Sequence, residues 1–248
     1  MSMSNRFDPD EHWRWHAFDS TGALQTAAAG RILTSARQAI SERGAFHLVL
    51  AGGTTPRGVY ELLGSSTAEW SRWHIYYGDE RCLAPDDPER NSLMAEQAWL
   101  DQVSIPRRQI FAIPAEKGAK AAAAAYTLSL SAIDLFDLVL LGLGPDGHTA
   151  SLFPGHPMEA DGAAAIAVFD APKPPPERVS LSARRLAAAR QVIFLVAGPG
   201  KQAAVTAWRN GEPIPASQIR PKNGVDVLLE ARISLNQREA SLRSGLRN

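Results

Sequence analysis

Four times along this chain a short apolar run gives way to a glycine-bearing polar loop. Phe46-His47-Leu48-Val49-Leu50-Ala51 leads into Gly52-Gly53-Thr54-Thr55-Pro56, and Trp73-His74-Ile75-Tyr76-Tyr77 leads into Gly78-Asp79-Glu80-Arg81. Phe136-Asp137-Leu138-Val139-Leu140-Leu141 leads into Gly142 to His148, and Gln191-Val192-Ile193-Phe194-Leu195-Val196-Ala197 leads into Gly198-Pro199-Gly200-Lys201. Short apolar runs bounded by such loops read as strands buried on both faces. Because helical patterns alternate with them, the fold class expected is α/β: a single Rossmann-like, open, mainly parallel sheet with helices on both faces. Parallel strands send all four loops to one carboxyl edge, where ligands bind in open α/β sheets.

The intervening segments fit this frame. Thr21 to Arg43 has helical spacing, with Ser20 placed to cap its start and Gly44 to end it. Pro56 is placed to open a helix through Val59, Tyr60, Leu62 and Leu63. Asn91 to Leu100 reads as a helix, Gln109 to Ile113 as a short strand, and Lys117 to Ile133 as a helix on its alanine run. Val225 to Leu229 reads as a last strand, and Trp13 and Trp15 as side chains packing on one face of an edge strand. Pro172, Pro174, Pro175 and Pro176 form a stiff connector between Phe169 and Arg178. The patterning never breaks, so one domain over 1–248 is expected, with a frayed polar tail at 236–248.

Composition narrows the function classes. Lys+Arg and Asp+Glu stand at 26 each, so no global field recruits nucleic acid or an acidic membrane, and anion-binding groups must be local. The single cysteine, Cys82, precludes an intramolecular disulfide and fits a reducing compartment. No apolar run approaches the roughly 20 residues of a membrane-spanning helix, and residues 1–20 lack a signal-peptide core. A cytoplasmic protein is expected, as a monomer or a homodimer.

The loops supply specific chemistry. Gly52-Gly53-Thr54-Thr55 offers backbone N–H groups, two hydroxyls and a helix start, which together suit an anion. Lys201, in the first turn of another helix, and Arg81 offer the positive charge that a phosphate dianion requires. Asp146 and His148 place a carboxylate and an imidazole two residues apart. The edge therefore reads as a sugar-phosphate-sized site, with phosphate at one end and Asp/His chemistry at the other. Taken singly the pieces are ambiguous: Asp79-Glu80-Arg81 alone could be a surface charge cluster, and His12, His16, His47 and His74 read as structural.

Several tempting motifs fail on context. Gly142-x-Gly144-x-x-Gly147 matches the dinucleotide fingerprint, but Asp146 would face the pyrophosphate, and Pro154 and Pro157 prevent a long helix from following. Gly198-Pro199-Gly200-Lys201 lacks P-loop spacing, and no G-x-S-x-G elbow occurs. Asp146, His148 and His156 have neither an H-E-x-x-H motif nor a cysteine pair to support a metal, so no metal is expected.

Gly52 to Pro56, Asp79-Glu80-Arg81-Cys82 through Asn91, Gly142 to Pro154, Arg178-Val179-Ser180-Leu181 and Gly198 to Lys201 together resemble the 6-phosphogluconolactonase family. The similarity runs from about Trp13 to Glu230; Pro215-Ala216-Ser217 adds a weaker match. The resemblance implies hydrolysis of 6-phospho-D-glucono-1,5-lactone to 6-phospho-D-gluconate in the oxidative pentose phosphate pathway, without metal or organic cofactor. It implies His148 as general base, with Asp146 and Asp79 orienting the imidazole or the sugar hydroxyls. Gly53, Thr54, Thr55, Arg178 and Lys201 would bind substrate at its phosphate end, and Arg81 would either join them or stabilise the oxyanion. Thr54 and Arg90 stand where the family more often has Ser. The rivals are a glucosamine-6-phosphate deaminase or isomerase and a non-catalytic sugar-phosphate-binding module. Phe153 stands where the deaminase pattern has a glutamate, and binding alone would not need the base.

Overall fold

A computed structural model describes residues 12–233 of the chain; the expected tail at 236–248 lies outside the described residues. The elements in chain order are β1 (Trp13–Phe18), α1 (Thr21–Arg43), β2 (Phe46–Leu50), α2 (Thr54–Gly64), β3 (Trp73–Tyr77), β4 (Asp79–Arg81), α3 (Asn91–Ala98), β5 (Ile110–Phe111), α4 (Ala119–Ser129) and β6 (Phe136–Gly142). There follow β7 (Ala165–Val168), β8 (Arg178–Leu181), α5 (Ala183–Ala187), β9 (Ala189–Val196), α6 (Gln202–Arg209) and β10 (Val225–Glu230), with short 3₁₀ turns between several of them.

Seven strands form one parallel sheet in the order β1-β10-β9-β6-β2-β3-β5, bearing out the α/β reading. The direction of winding reverses at its centre. From β2 the chain proceeds outward through β3 to β5, then returns to β6 on the other flank and proceeds outward through β9 to β10. The loops after β2 and β6 therefore leave adjacent strands in opposite directions and open a crevice at the carboxyl edge. The sheet interior is apolar: Phe46, Leu48, Val49, Leu138, Val139, Leu140, Val192, Ile193 and Phe194 are fully buried.

Local signals set the element ends. The Ser20 hydroxyl accepts from Ala23 N at the start of α1, and Gly44 closes that helix at φ 80° with its N–H on Ile40 O. Two buried tyrosines fix helices to strand ends: Tyr60 of α2 bonds both Ala51 N and Ala51 O, and Tyr126 of α4 bonds both Tyr77 N and Tyr77 O. Trp13 and Trp15 project from the edge strand β1 onto Trp208 of α6, with ring centroids 5.0 and 5.4 Å apart.

Two expectations need correction. Asp79-Glu80-Arg81 is a strand rather than a loop, part of a second, antiparallel sheet ordered β4-β8-β7. The helix expected at Lys117 to Ile133 is confined to Ala119–Ser129, because Gly118 at φ 83° interrupts it at the front. The proline run, expected as a stiff connector between Phe169 and Arg178, is the tip between the antiparallel strands β7 and β8. Leu62 lies in α2 as expected, and is 40 % exposed.

Candidate active site

A 310 Å³ cavity occupies the crevice where the winding reverses. Its walls come from the ends of β2 and β6, from the second sheet and from the Gly198 loop, and include Gly53, Asp79, Arg81, His148, Lys173, Arg178 and Lys201. A larger cleft of 810 Å³ lies beside α1 and the starts of β6 and β9, but its arginines Arg14, Arg31 and Arg43 are ion-paired to Asp226 and Asp137. The carboxyl-edge cavity gathers cations that have no ion-pair partner among the described residues, beside an imidazole.

The loop after β6 is held in a compact shape by its own hydrogen bonds. Gly144 N donates to His148 O at 2.7 Å, and Thr149 Oγ1 donates to Gly142 O at 2.9 Å. A Cβ on Gly144 would lie 2.0 Å from His148 Nδ1, so only glycine lets the imidazole fold back over the loop. There His148 Nδ1 meets Asp146 Oδ1 at 2.5 Å. Phe153, which is 1 % exposed, supports the imidazole with its ring centroid 4.7 Å away.

This pairing sets the protonation state of the imidazole. Burial pushes the His148 pKa below its ordinary value, outweighing the upward pull of Asp146, while Lys173 pushes in the same direction as burial. Burial raises the Asp146 carboxyl, but the bonds from His148 more than offset that and leave it below the usual range. A neutral imidazole beside a carboxylate carries its proton on Nδ1, leaving Nε2 free to accept one.

Asp79 connects two walls. Its Oδ2 accepts from Ser151 Oγ at 2.6 Å, and its Oδ1 accepts from Asn91 Nδ2 at 3.2 Å. Asn91 also lies over Gly52, where a Cβ would come within 2.0 Å of its Oδ1. Neighbouring Glu80 points into the core instead and is fully buried. Its carboxylate accepts from Asn91 N and Ser92 N, the first two donors of α3, and pairs with the buried Arg90 at 3.4 Å. The Asp79–Arg81 segment is therefore no surface charge cluster.

The remaining expected residues are placed unequally. Gly53 lines the cavity and caps α2 without a side chain, whereas Thr54 and Thr55 lie in the helix's first turn outside the lining. Arg81 lines the cavity and also donates to Glu89 O. The Arg178 guanidinium donates to Lys173 O, Pro174 O and Pro175 O, and lies 5.6 Å from the Phe153 ring. Lys201 is half-buried, and its pKa is lowered by burial and then by repulsion from Lys173.

Sequence reasoning passed over Ser151, Lys173 and the structural work of Glu80. Ser151 sat inside a motif read for Asp146 and His148 alone. Lys173 sat in a proline run read only as stiff. No local pattern in either case announced a contact across the fold.

Residues 19–228 match the family described as glucosamine-6-phosphate isomerases/6-phosphogluconolactonase. A protein of Streptomyces coelicolor named 6-phosphogluconolactonase is 41 % identical over 207 residues, covering 76 % of this chain and 79 % of that one. One of Mycobacterium tuberculosis with the same name is 38 % identical over 209 residues, covering 78 % and 85 %. The crystal structure of 6-phosphogluconolactonase from Thermotoga maritima superimposes with a TM-score of 0.83 at 27 % identity, covering 88 % of this chain and 99 % of that one. A matched span this long, carrying the cavity and its His–Asp pair, places the chain in the glucosamine-6-phosphate isomerase/6-phosphogluconolactonase family.

Proposed function

We propose that the chain is a hydrolase that opens 6-phospho-D-glucono-1,5-lactone to 6-phospho-D-gluconate, with His148 as general base. The observation that carries this reading is the short Nδ1–carboxylate bond from His148 to Asp146 inside a cavity that also collects cations. Relatives named 6-phosphogluconolactonase support the substrate, and the deaminase reading lacks an acid where Phe153 stands.

In this reading water lies between His148 Nε2 and the lactone carbonyl carbon. Nε2 takes a proton from the water as its oxygen bonds to that carbon, and the carbonyl oxygen becomes an oxyanion. Asp146 stabilises the imidazolium that forms and keeps the ring in one tautomer. The oxyanion then collapses, the bond from the carbonyl carbon to the ring oxygen breaks, and Nε2 returns the proton to that oxygen as a hydroxyl. The new carboxylic acid ionises in solution, releasing one proton per turnover. No step requires a metal or an organic cofactor.

The phosphate sits against Lys201, with Arg178 and the α2 N-terminus contributing. Arg178 Nη1 has no acceptor among the described residues, while Gly53, Thr54 and Thr55 leave the start of α2 without a side-chain cap. Arg81, whose other contact is Glu89 O, is assigned to the oxyanion end. Asp79 holds the catalytic loop to β4 through Ser151 and favours the imidazolium from a distance. A cytoplasmic location fits this substrate and the half-buried Cys82, whose thiol burial raises to about 11.

The test is proton release from freshly generated lactone, with spontaneous hydrolysis subtracted. The wild type should exceed background, and His148→Ala should lose about 10²- to 10⁴-fold. Equal rates in the two proteins remove His148 from the mechanism, and a wild-type rate at background removes the activity.

A further inference from the structure

Of the cations around the cavity, two are already held in place by backbone carbonyls. Arg81 donates to Glu89 O, and Arg178 spends its Nε and Nη2 on three successive carbonyls of the β7–β8 tip. The side-chain ammoniums of the other two, Lys173 and Lys201, make no hydrogen bond or ion pair with any described residue. They come from separate elements, Lys173 from that tip and Lys201 from the turn before α6, yet they line the same cavity. The Lys173 ammonium is close enough to Lys201 for its repulsion to add to the lowering of the Lys201 pKa by burial.

Two like charges facing one small cavity without a counter-ion raise the energy of the empty site. A dianion entering between them relieves that repulsion and meets both ammoniums at once. The tip does not hold Lys173 there by chance. Arg178, which is 6 % exposed, grips the carbonyls of Lys173, Pro174 and Pro175 from beneath, and its guanidinium lies on the Phe153 ring that also supports His148. The proline-rich composition keeps the segment stiff, so little ordering entropy remains to be lost when a ligand binds.

We propose that the β7–β8 proline tip is part of the substrate site, with Lys173 as a second phosphate-binding cation opposite Lys201 and Arg178 as the positioning residue that holds the tip over the cavity. This rests on the lactonase reading for the identity of the substrate, but not for the prediction that the site takes a phosphate dianion. Lys173 thereby sets specificity for phosphorylated over unphosphorylated sugar acids. It also couples phosphate occupancy to the base, since the same ammonium disfavours protonation of His148.

The experiment measures binding by calorimetry, with 6-phosphogluconate and inorganic phosphate as probes, on wild type, Lys173→Gln, Lys173→Arg and the Lys173→Gln/Lys201→Gln pair. Lys173 is exposed at a tip, so its replacement leaves the core untouched. Lys173→Gln should weaken 6-phosphogluconate about tenfold or more and make its affinity less sensitive to salt, as expected for a lost charge-assisted contact. Lys173→Arg should bind within a few-fold of wild type. The double variant should lose less or more than the sum of the single losses, because both lysines act on one group. Arg178→Lys, which keeps the charge but cannot grip three carbonyls, should raise KM with a smaller change in kcat. Unchanged 6-phosphogluconate affinity in Lys173→Gln overturns the proposal, as does strict additivity with Lys201. If the wild type binds 6-phosphogluconate in a Lys173-dependent way but does not hydrolyse the lactone, the proposed activity fails and the two-lysine site stands. If it hydrolyses the lactone and Lys173→Gln matches it in both KM and affinity, the site fails and the activity stands.

Discussion

Ser151 Oγ donates a 2.6 Å hydrogen bond to Asp79 Oδ2, joining the loop after β6 to the start of the second sheet. Both side chains are buried, so each polar group depends on the other for satisfaction. Ser151→Ala leaves Asp79 short of one donor, at a cost of about 1–3 kcal/mol in folding stability. Because the same bond holds the segment carrying His148, kcat/KM should fall with stability, whereas Ser151→Thr should retain part of both. Urea unfolding and steady-state turnover of the two variants provide the check. Loss of stability with turnover unchanged would separate Ser151 from the positioning of the base.

The protonation state of His148 makes a directional prediction. Its folded pKa lies below the ordinary value, so the neutral form that the proposed general base requires persists into mild acid. The kcat/KM profile should therefore fall on its acid side with a midpoint below about 6.5. Asp146→Asn removes a group that favours the imidazolium and should move that midpoint further down, while lowering the plateau through loss of the tautomer lock. Lys173→Gln removes a repulsive charge and should move it up. The profiles of the three proteins, corrected for spontaneous hydrolysis, decide the matter, and shifts in the same direction for both variants would contradict the assigned environment.

The sheet was legible because its signals are local. Apolar runs such as Phe136 to Leu141 have one comfortable environment, and Ser20 and Gly44 mark the ends of α1 by chemistry confined to a single turn. The convergence of the four loops followed from parallel strands, and Asp146 and His148 are two residues apart in sequence. What escaped depends on long-range contacts. β7 and β8 are four residues each and become strands only by pairing with one another and with β4. Lys173 reaches the cavity because Arg178 folds its tip back, and Glu80 is buried because α3 begins over it. None of these has a period or a spacing to read.

Glu80 should behave as a structural group despite lying next to Asp79. It makes no wall of the cavity, and its carboxylate satisfies Arg81 N, Asn91 N and Ser92 N while pairing with Arg90. Glu80→Gln keeps the shape but leaves Arg90, 3 % exposed, with Glu116 as its one carboxylate partner among the described residues. A loss of about 3 kcal/mol is expected, at the low end for a broken buried pair because Glu116 remains. Where the variant is still folded, its kcat/KM should stay within a few-fold of wild type. A variant of normal stability with abolished turnover would instead assign Glu80 to the chemistry.

At the opposite edge of the sheet, Asp226 near the start of β10 gathers two arginines and a histidine. Arg14 Nη2 lies at 2.7 Å, His16 Nε2 at 2.6 Å and Arg31 Nη1 at 3.1 Å. Burial raises the Asp226 carboxyl, but the bonds from Arg14 and His16 outweigh it and leave the pKa lowered. A carboxylate with a lowered folded pKa stabilises the fold above its unfolded value of about 3.9, and that contribution is lost as pH falls through the folded value. The partners are a third or more exposed, except His16 at 32 %, so solvent screening limits the expected loss in Asp226→Asn to about 1–2 kcal/mol at neutral pH. The gap between variant and wild type should close as pH falls below about 4, because the wild type then loses the same charge. Since β10 alone joins β1 to the rest of the sheet, amide exchange in Trp13–Phe18 should rise first, with turnover unchanged. A stability gap independent of pH would show that Asp226 acts through packing and not through its charge.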